Sequence, residues 1–340
     1  MLFRSGWATS SGGAPAVNNF PLAQDTAVFD NTGSVTGTIT VDSFFNVGTV
    51  NMSARTNAMS LNLGSYGFYV YGDWTFGTGV TNSAGAAIYF AGHSKTQTVT
   101  SNGRSFYCQF IGQYGISNTI SFADACSASS ANGMYIYSTT GLSLNNNTIT
   151  TPYFENGSTS TRTLAFGTGN ITVTTAQGVN ITGSSLTVTG TPVLNYSYTG
   201  ATTPSNMYLT GTYTESNSLN VNFTAGTYTL DTTFATVFRN LNFTGFAGTL
   251  SATPATTIYG NLTIASGMTL TASTSAMSFR ATSGTKTITT NGKTLDFPIT
   301  FNGVGGTWQL QDNFTIGSTR TTTLQNGTLD LNGKIGRAHV

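Results

Sequence analysis

Apolar side chains recur at every second position in short runs along this chain. Leu262-Thr263-Ile264, Met268-Thr269-Leu270, Thr287-Ile288-Thr289 and Leu329-Asp330-Leu331 all follow that alternation. A period of two belongs to an extended strand whose side chains point to opposite faces in turn. Between the runs stand Asn-Gly pairs such as Asn102-Gly103, Asn291-Gly292 and Asn326-Gly327, residue types that tolerate the left-handed backbone of a tight turn. Helical periodicity is absent. An antiparallel sandwich would also read as short strands with turns, but abundant Thr, Asn and Gly fit parallel coils of roughly 20 residues stacked about 4.8 Å apart. The pattern therefore predicts an all-β chain, a parallel β-solenoid. Its core would be inward Ile, Leu, Val, Phe and Met, and like residues would stack into ladders.

The chain also repeats itself over a longer distance. Tyr71-Gly72-Asp73-Trp74-Thr75-Phe76 matches Tyr259-Gly260-Asn261-Leu262-Thr263-Ile264, and 259 − 71 = 188. Thr98-Val99-Thr100-Ser101-Asn102-Gly103 matches Thr287-Ile288-Thr289-Thr290-Asn291-Gly292, where 291 − 102 = 189. Thr119–Asp124 faces Thr307–Asp312, and Leu142–Asn145 faces Leu329–Asn332. Two tandem modules of about 188 residues are expected, over residues 6–195 and 196–334, the second truncated. The flanking residues 1–5 (Met1-Leu2-Phe3-Arg4-Ser5) and 335–340 (Ile335-Gly336-Arg337-Ala338-His339-Val340) read as opposite strands of one common sequencing adapter, translated. They are set aside as processing scars.

Composition narrows the class. Charged residues make up 7% of the chain, against about 25% in an average soluble domain, so Thr, Ser and Asn must wet the surface. The net charge of +1 supplies no basic field for nucleic acid and no polybasic patch for a membrane. No apolar run approaches the roughly 20 residues of a membrane span. With 12% aromatic and 38% hydrophobic residues, the chain has too much to bury for a disordered linker. A long, weakly charged, cysteine-poor chain is expected to be an external protein, while its two cysteines do not fix the redox compartment.

Three segments carry a family resemblance: Gly12-Gly13-Ala14-Pro15-Ala16-Val17-Asn18-Asn19-Phe20-Pro21, Gln24-Asp25-Thr26-Ala27-Val28-Phe29-Asp30, and Thr300-Phe301-Asn302-Gly303-Val304-Gly305-Gly306-Thr307-Trp308-Gln309-Leu310-Gln311-Asp312. They resemble repeats of large uncharacterised proteins of environmental phages and bacteria. The resemblance covers nearly all of Gly6–Lys334 and implies a right-handed parallel β-helix akin to haemagglutinin-type adhesins and pectate-lyase-like folds. It brings no catalytic residues with it.

Candidate chemistry is sparse. His93 is the one histidine outside the scars and aligns with Thr282, so no triad or metal set forms around it. Cys108 and Cys126 align with Phe297 and Phe314 and are expected to be core thiols, a disulfide being the alternative. The carboxylates are scattered singly, and the repeated Asp124 and Asp312 read as turn formers rather than acids. Aromatic residues supply the one binding signal. Tyr66, Phe68, Tyr69 and Tyr71 lie beside Trp74, and Tyr196, Tyr198, Tyr208 and Tyr213 follow. Strand alternation must turn some of these rings outward, so Tyr69, Tyr71 and Trp74 are the candidates for glycan contact. No catalytic, cofactor-binding or metal-binding residue is expected.

Three functions fit. One is a non-enzymatic structural or adhesive solenoid of a phage virion, tail-associated, or of a bacterial surface protein, with a cell-surface glycan or other surface proteins as partners. The second is a carbohydrate-active, pectate-lyase-like enzyme, which needs two close carboxylates in a groove. The third is a glycan-binding module without catalysis. The sequence leaves the oligomeric state open.

Overall fold

The structure, a computed structural model, describes residues 7–16, 19–32, 36–83, 85–113, 117–129, 133–137, 141–158, 160–205, 207–231, 236–251 and 255–334. The adapter-like segments 1–5 and 335–340 lie outside these. The chain is an all-β parallel solenoid, without an α-helix among the described residues. It divides into two compact units, one of Met1–Ile171 with Ser185–Thr191 and one of Thr172–Ser184 with Pro192–Val340.

In the first unit eight strands form one parallel ladder: Thr26–Val28, Thr49–Asn51, Trp74–Thr75, Thr96–Thr100, Thr119–Phe122, Gly141–Ser143, Arg162–Ala165 and Leu186–Thr189. A second face stacks Phe45–Val47, Gly67–Val70, Gly85–Phe90, Cys108–Gly112, Met134–Ile136 and Thr148–Asn156. A short third face joins Gly37–Thr40, Met59–Asn62 and Val80–Asn82. The second unit is likewise built of stacked parallel ladders. Its longest ladder runs through Val193–Tyr196, Asn220–Phe223, Asn240–Asn242, Leu262–Thr263, Thr285–Thr289, Ile299–Leu310 and Thr322–Asp330.

Coil length is not constant. Asn220 pairs with Asn240, close to the period expected from the sequence, whereas Val179 pairs with Met207, a distinctly longer coil. Segments that join the faces, such as residues 197–205, absorb the difference. Within the strands the pairing shifts register at Cys108/Gln109 and around Asn302.

Strand register builds the core. Val50, Trp74, Val99 and Phe122 pair in succession and are at most 1% exposed. Leu241, Leu262, Ile288 and Leu310 form the corresponding column of the second unit. Each such side chain stabilises by about 1.5–3 kcal/mol when fully buried. Rings one coil apart stack at nearly the interstrand spacing: Phe90 on Phe110 at 4.4 Å, Phe223 on Phe243 at 4.9 Å, and Phe279 on Phe301 at 5.1 Å.

Outward polar side chains stack as well. Asn240 Nδ2 donates to Asn220 Oδ1 at 2.6 Å, Asn222 to Asn195 at 3.0 Å, and Asn326 to Asn302 at 2.8 Å.

The turn reading holds at Asn102-Gly103 and Asn291-Gly292, whose φ values are 47° and 73°, and 49° and 74°. It fails at Asn326-Gly327, which lies inside the strand Thr322–Asp330. There the pairing with Ile299–Leu310 shifts register, and a bulge uses the same residue types that a turn would.

Ile288→Asp is expected to destabilise by about 4 kcal/mol or more, because a carboxyl replaces a fully buried side chain between Leu262 and Leu310. Each coil is held mainly by its neighbours. Amide exchange should therefore accelerate around residues 262–312 first, and unchanged protection there would contradict the register.

Candidate functional site

The aspartates that recur in the sequence act between coils. Asp124 Oδ1 accepts from the Ser101 amide at 2.7 Å and its Oδ2 from the Asn102 amide at 2.6 Å. Asn102 Nδ2 in turn donates to the Phe76 carbonyl at 2.6 Å, reaching the coil on the other side. Asp312 binds the amides of Thr290 and Asn291 in the same way, and Asn291 Nδ2 donates to the Ile264 carbonyl at 2.7 Å. Asp73 and Asn261 each accept one amide from the next coil, Thr98 at 2.7 Å and Thr287 at 2.8 Å. These side chains are spent on backbone donors left unpaired where strands turn. Among the described residues no three His, Cys, Asp or Glu side chains are grouped to hold a metal.

The aromatic candidates separate. Trp74 is fully buried, packed 5.3 Å from Phe76, 6.0 Å from Phe68 and 6.2 Å from Phe106 between ring centroids. It cannot meet a sugar: its position continues the inward column of Val50 and Val99. Tyr71 is half-buried with its ring 6.2 Å from the exposed His93. Tyr69 faces outward. Tyr196 and Tyr213 are core residues whose hydroxyls donate to the carbonyls of Thr175 at 2.8 Å and Ile181 at 2.9 Å.

Tyr69 belongs to an outward column. It pairs with Tyr89, Tyr89 with Ile111, Ile111 with Tyr135, and Tyr135 with Glu155. Tyr69 and Tyr89 are stacked, with centroids 4.7 Å apart and planes at 15°. Phe44, 45% exposed, lies 6.0 Å from Tyr69 and 5.8 Å from Tyr66, itself 40% exposed. At the far end Tyr135 is 5.8 Å from Tyr137 and 5.4 Å from Tyr153, and the Tyr153 hydroxyl donates to Glu155 at 2.8 Å. Partial burial, then the Glu155 charge, raises the pKa of Tyr135. The surface thus carries two groups of rings, Phe44, Tyr66, Tyr69 and Tyr89 at one end and Tyr135, Tyr137 and Tyr153 at the other, separated by the buried Ile111. The first group adjoins a shallow hollow of about 460 Å³ lined by Phe20, Leu22 and Phe44. Phe44 and Tyr89 are absent from the sequence-based candidates. Their register with Tyr69 depends on coil lengths that spacing alone does not give.

A larger cleft, about 850 Å³, opens on the second unit. Arg239, Tyr259 and Lys286 reach it from three successive coils, and Glu215 from a loop. Glu215 is the one carboxylate in its lining. The paired carboxylates that glycoside cleavage requires do not meet there.

Cys108 and Cys126 are buried and free. Desolvation pushes the Cys108 thiol from 9.0 up to about 12 and raises Cys126 as well. Both remain neutral and unreactive in the folded chain.

Comparison with family models, with curated proteins and with solved structures yields no match to this chain.

Two expectations follow from these contacts. Asp124→Ala should cost about 2 kcal/mol of stability through loss of two charge-assisted bonds, and Asp124→Asn roughly half of that. Denaturant midpoints of the two variants check the order. Both thiols should resist a bulky thiol reagent until the protein is unfolded. Because folding raises the Cys108 pKa, its contribution to stability is intact below about 9 and is lost as pH rises towards about 12. A melting temperature flat across that window would contradict the burial.

Proposed function

We propose that this chain is a non-enzymatic structural and adhesive solenoid of a bacterial surface or phage virion protein, and that the outward aromatic column of its first unit contacts cell-surface glycan. The observation that carries the reading is the outward stack of Tyr69 on Tyr89 with the exposed Phe44 and Tyr66 at its edge. Flat rings held in register by the backbone are a rigid apolar platform with polar hydroxyl rims, suited to the faces of sugar rings and needing little ordering on binding. Carboxylates engaged as staples leave little acid–base chemistry. This favours a binding or scaffold role over the pectate-lyase-like alternative.

The two-module organisation is part of the same proposal. Asp124 and Asp312 hold matching amides through matching bonds, at the same offset that relates the repeated sequence segments. Duplication of a coil stack lengthens a scaffold without inventing new chemistry. The resemblance to phage and bacterial repeats supports an extracellular, cell-surface or virion location.

A panel of soluble bacterial-surface oligosaccharides titrated against the protein tests the reading by chemical-shift or calorimetric response. Binding should appear and should fall about tenfold in Tyr69→Ala/Tyr89→Ala, if each ring contributes about 0.5–1.5 kcal/mol. The circular dichroism should stay unchanged, since both rings lie outside the core. Binding that the double variant leaves intact would remove the column from the site, and no binding across the panel would leave a bare scaffold.

A further inference from the structure

The cleft of the second unit brings two cations, a carboxylate and a ring together on a weakly charged chain. Lys286 and Arg239 both line it. Arg239 Nη2 donates to the carbonyls of Glu215 at 3.1 Å and Ser216 at 2.8 Å. The guanidinium is thereby fixed in place, while its Nε and Nη1 donors have no partner among the described residues. The Lys286 ammonium likewise has none. The Glu215 carboxylate faces the same cleft, but its Oε2 is taken by Thr282, whose hydroxyl donates at 2.5 Å and whose amide donates at 3.1 Å. Tyr259, half-buried, lines the same cleft, and so does Asn261, whose side-chain oxygen accepts from the Thr287 amide.

We infer that this cleft is a binding site for an oxyanion-bearing saccharide, a sulfated oligosaccharide being the form its chemistry fits. A fixed guanidinium with free donors and an ammonium on a flexible stem recognise a tetrahedral oxyanion through charge-assisted bonds. An aromatic ring alongside takes the apolar face of a sugar. The cleft volume, about 850 Å³, lies within the usual range for small-ligand sites, roughly 300–1,000 Å³. The site belongs to the second unit and uses charge, so it differs in kind from the neutral aromatic column of the first.

The test is titration of the full chain with a sulfated oligosaccharide, its desulfated counterpart and inorganic sulfate. The sulfated sugar should bind with an affinity that falls as salt rises, and the desulfated one should bind at least tenfold more weakly. Lys286→Ala should lose about tenfold and Lys286→Arg should recover most of it, whereas Glu215→Gln, which keeps an acceptor for Thr282, should bind more tightly. Tyr69→Ala/Tyr89→Ala should bind as the wild type does, which separates this site from the column. Equal affinity for sulfated and desulfated sugars, or an unaffected Lys286→Ala of unchanged melting temperature, would overturn the assignment. Inorganic sulfate bound as tightly as the oligosaccharide would overturn its saccharide part.

Discussion

In-register parallel pairing of one coil on the next is the constraint from which the other features descend. A residue paired across a spacing of about 4.8 Å cannot choose its neighbours independently: what faces inward on one coil must fit what faces inward on the coils above and below. The columns Val50–Trp74–Val99–Phe122 and Leu241–Leu262–Ile288–Leu310 answer this with apolar side chains of varied size. No face can slip by a single position without turning its core outward.

Pairing leaves backbone donors and acceptors at the corners, where strands end and the chain turns. Short side chains that reach one coil away fill these positions. Asp124 and Asp312 grip two amides each, and Asn102 and Asn291 reach in the opposite direction to a carbonyl. Uncharged side chains do much of this inter-coil bonding: Asn and Thr satisfy one another along the ladders, as Asn170 does with Thr148 and Asn195 with Thr172. The ionised groups include the staples and, as with Lys286, a group that has nothing to hold among the described residues.

Both proposed surfaces are products of stacking rather than of local sequence. Tyr69 and Tyr89 belong to different coils and become a single platform because their strands are adjacent. The cleft draws Arg239, Tyr259 and Lys286 from three coils and Glu215 from a loop. A solenoid can acquire such surfaces by changing outward residues only, since alternation separates the outward face from the core.

The sequence by itself determined the strand period, the parallel coil architecture, the burial of Cys108, Cys126 and Ile288, and the Asn-Gly turns at 102–103 and 291–292. These are local consequences of side-chain alternation and of the backbone freedom of Asn and Gly. It misplaced Trp74, because a large aromatic residue in an alternating run suits either face until the register is known. It missed Phe44, Tyr89 and the cation-lined cleft for the same reason: coil lengths that change from turn to turn decide which outward side chains become neighbours. That length is set by how each turn packs against the coil below, an interaction between residues distant in sequence, and only the tertiary structure resolves it.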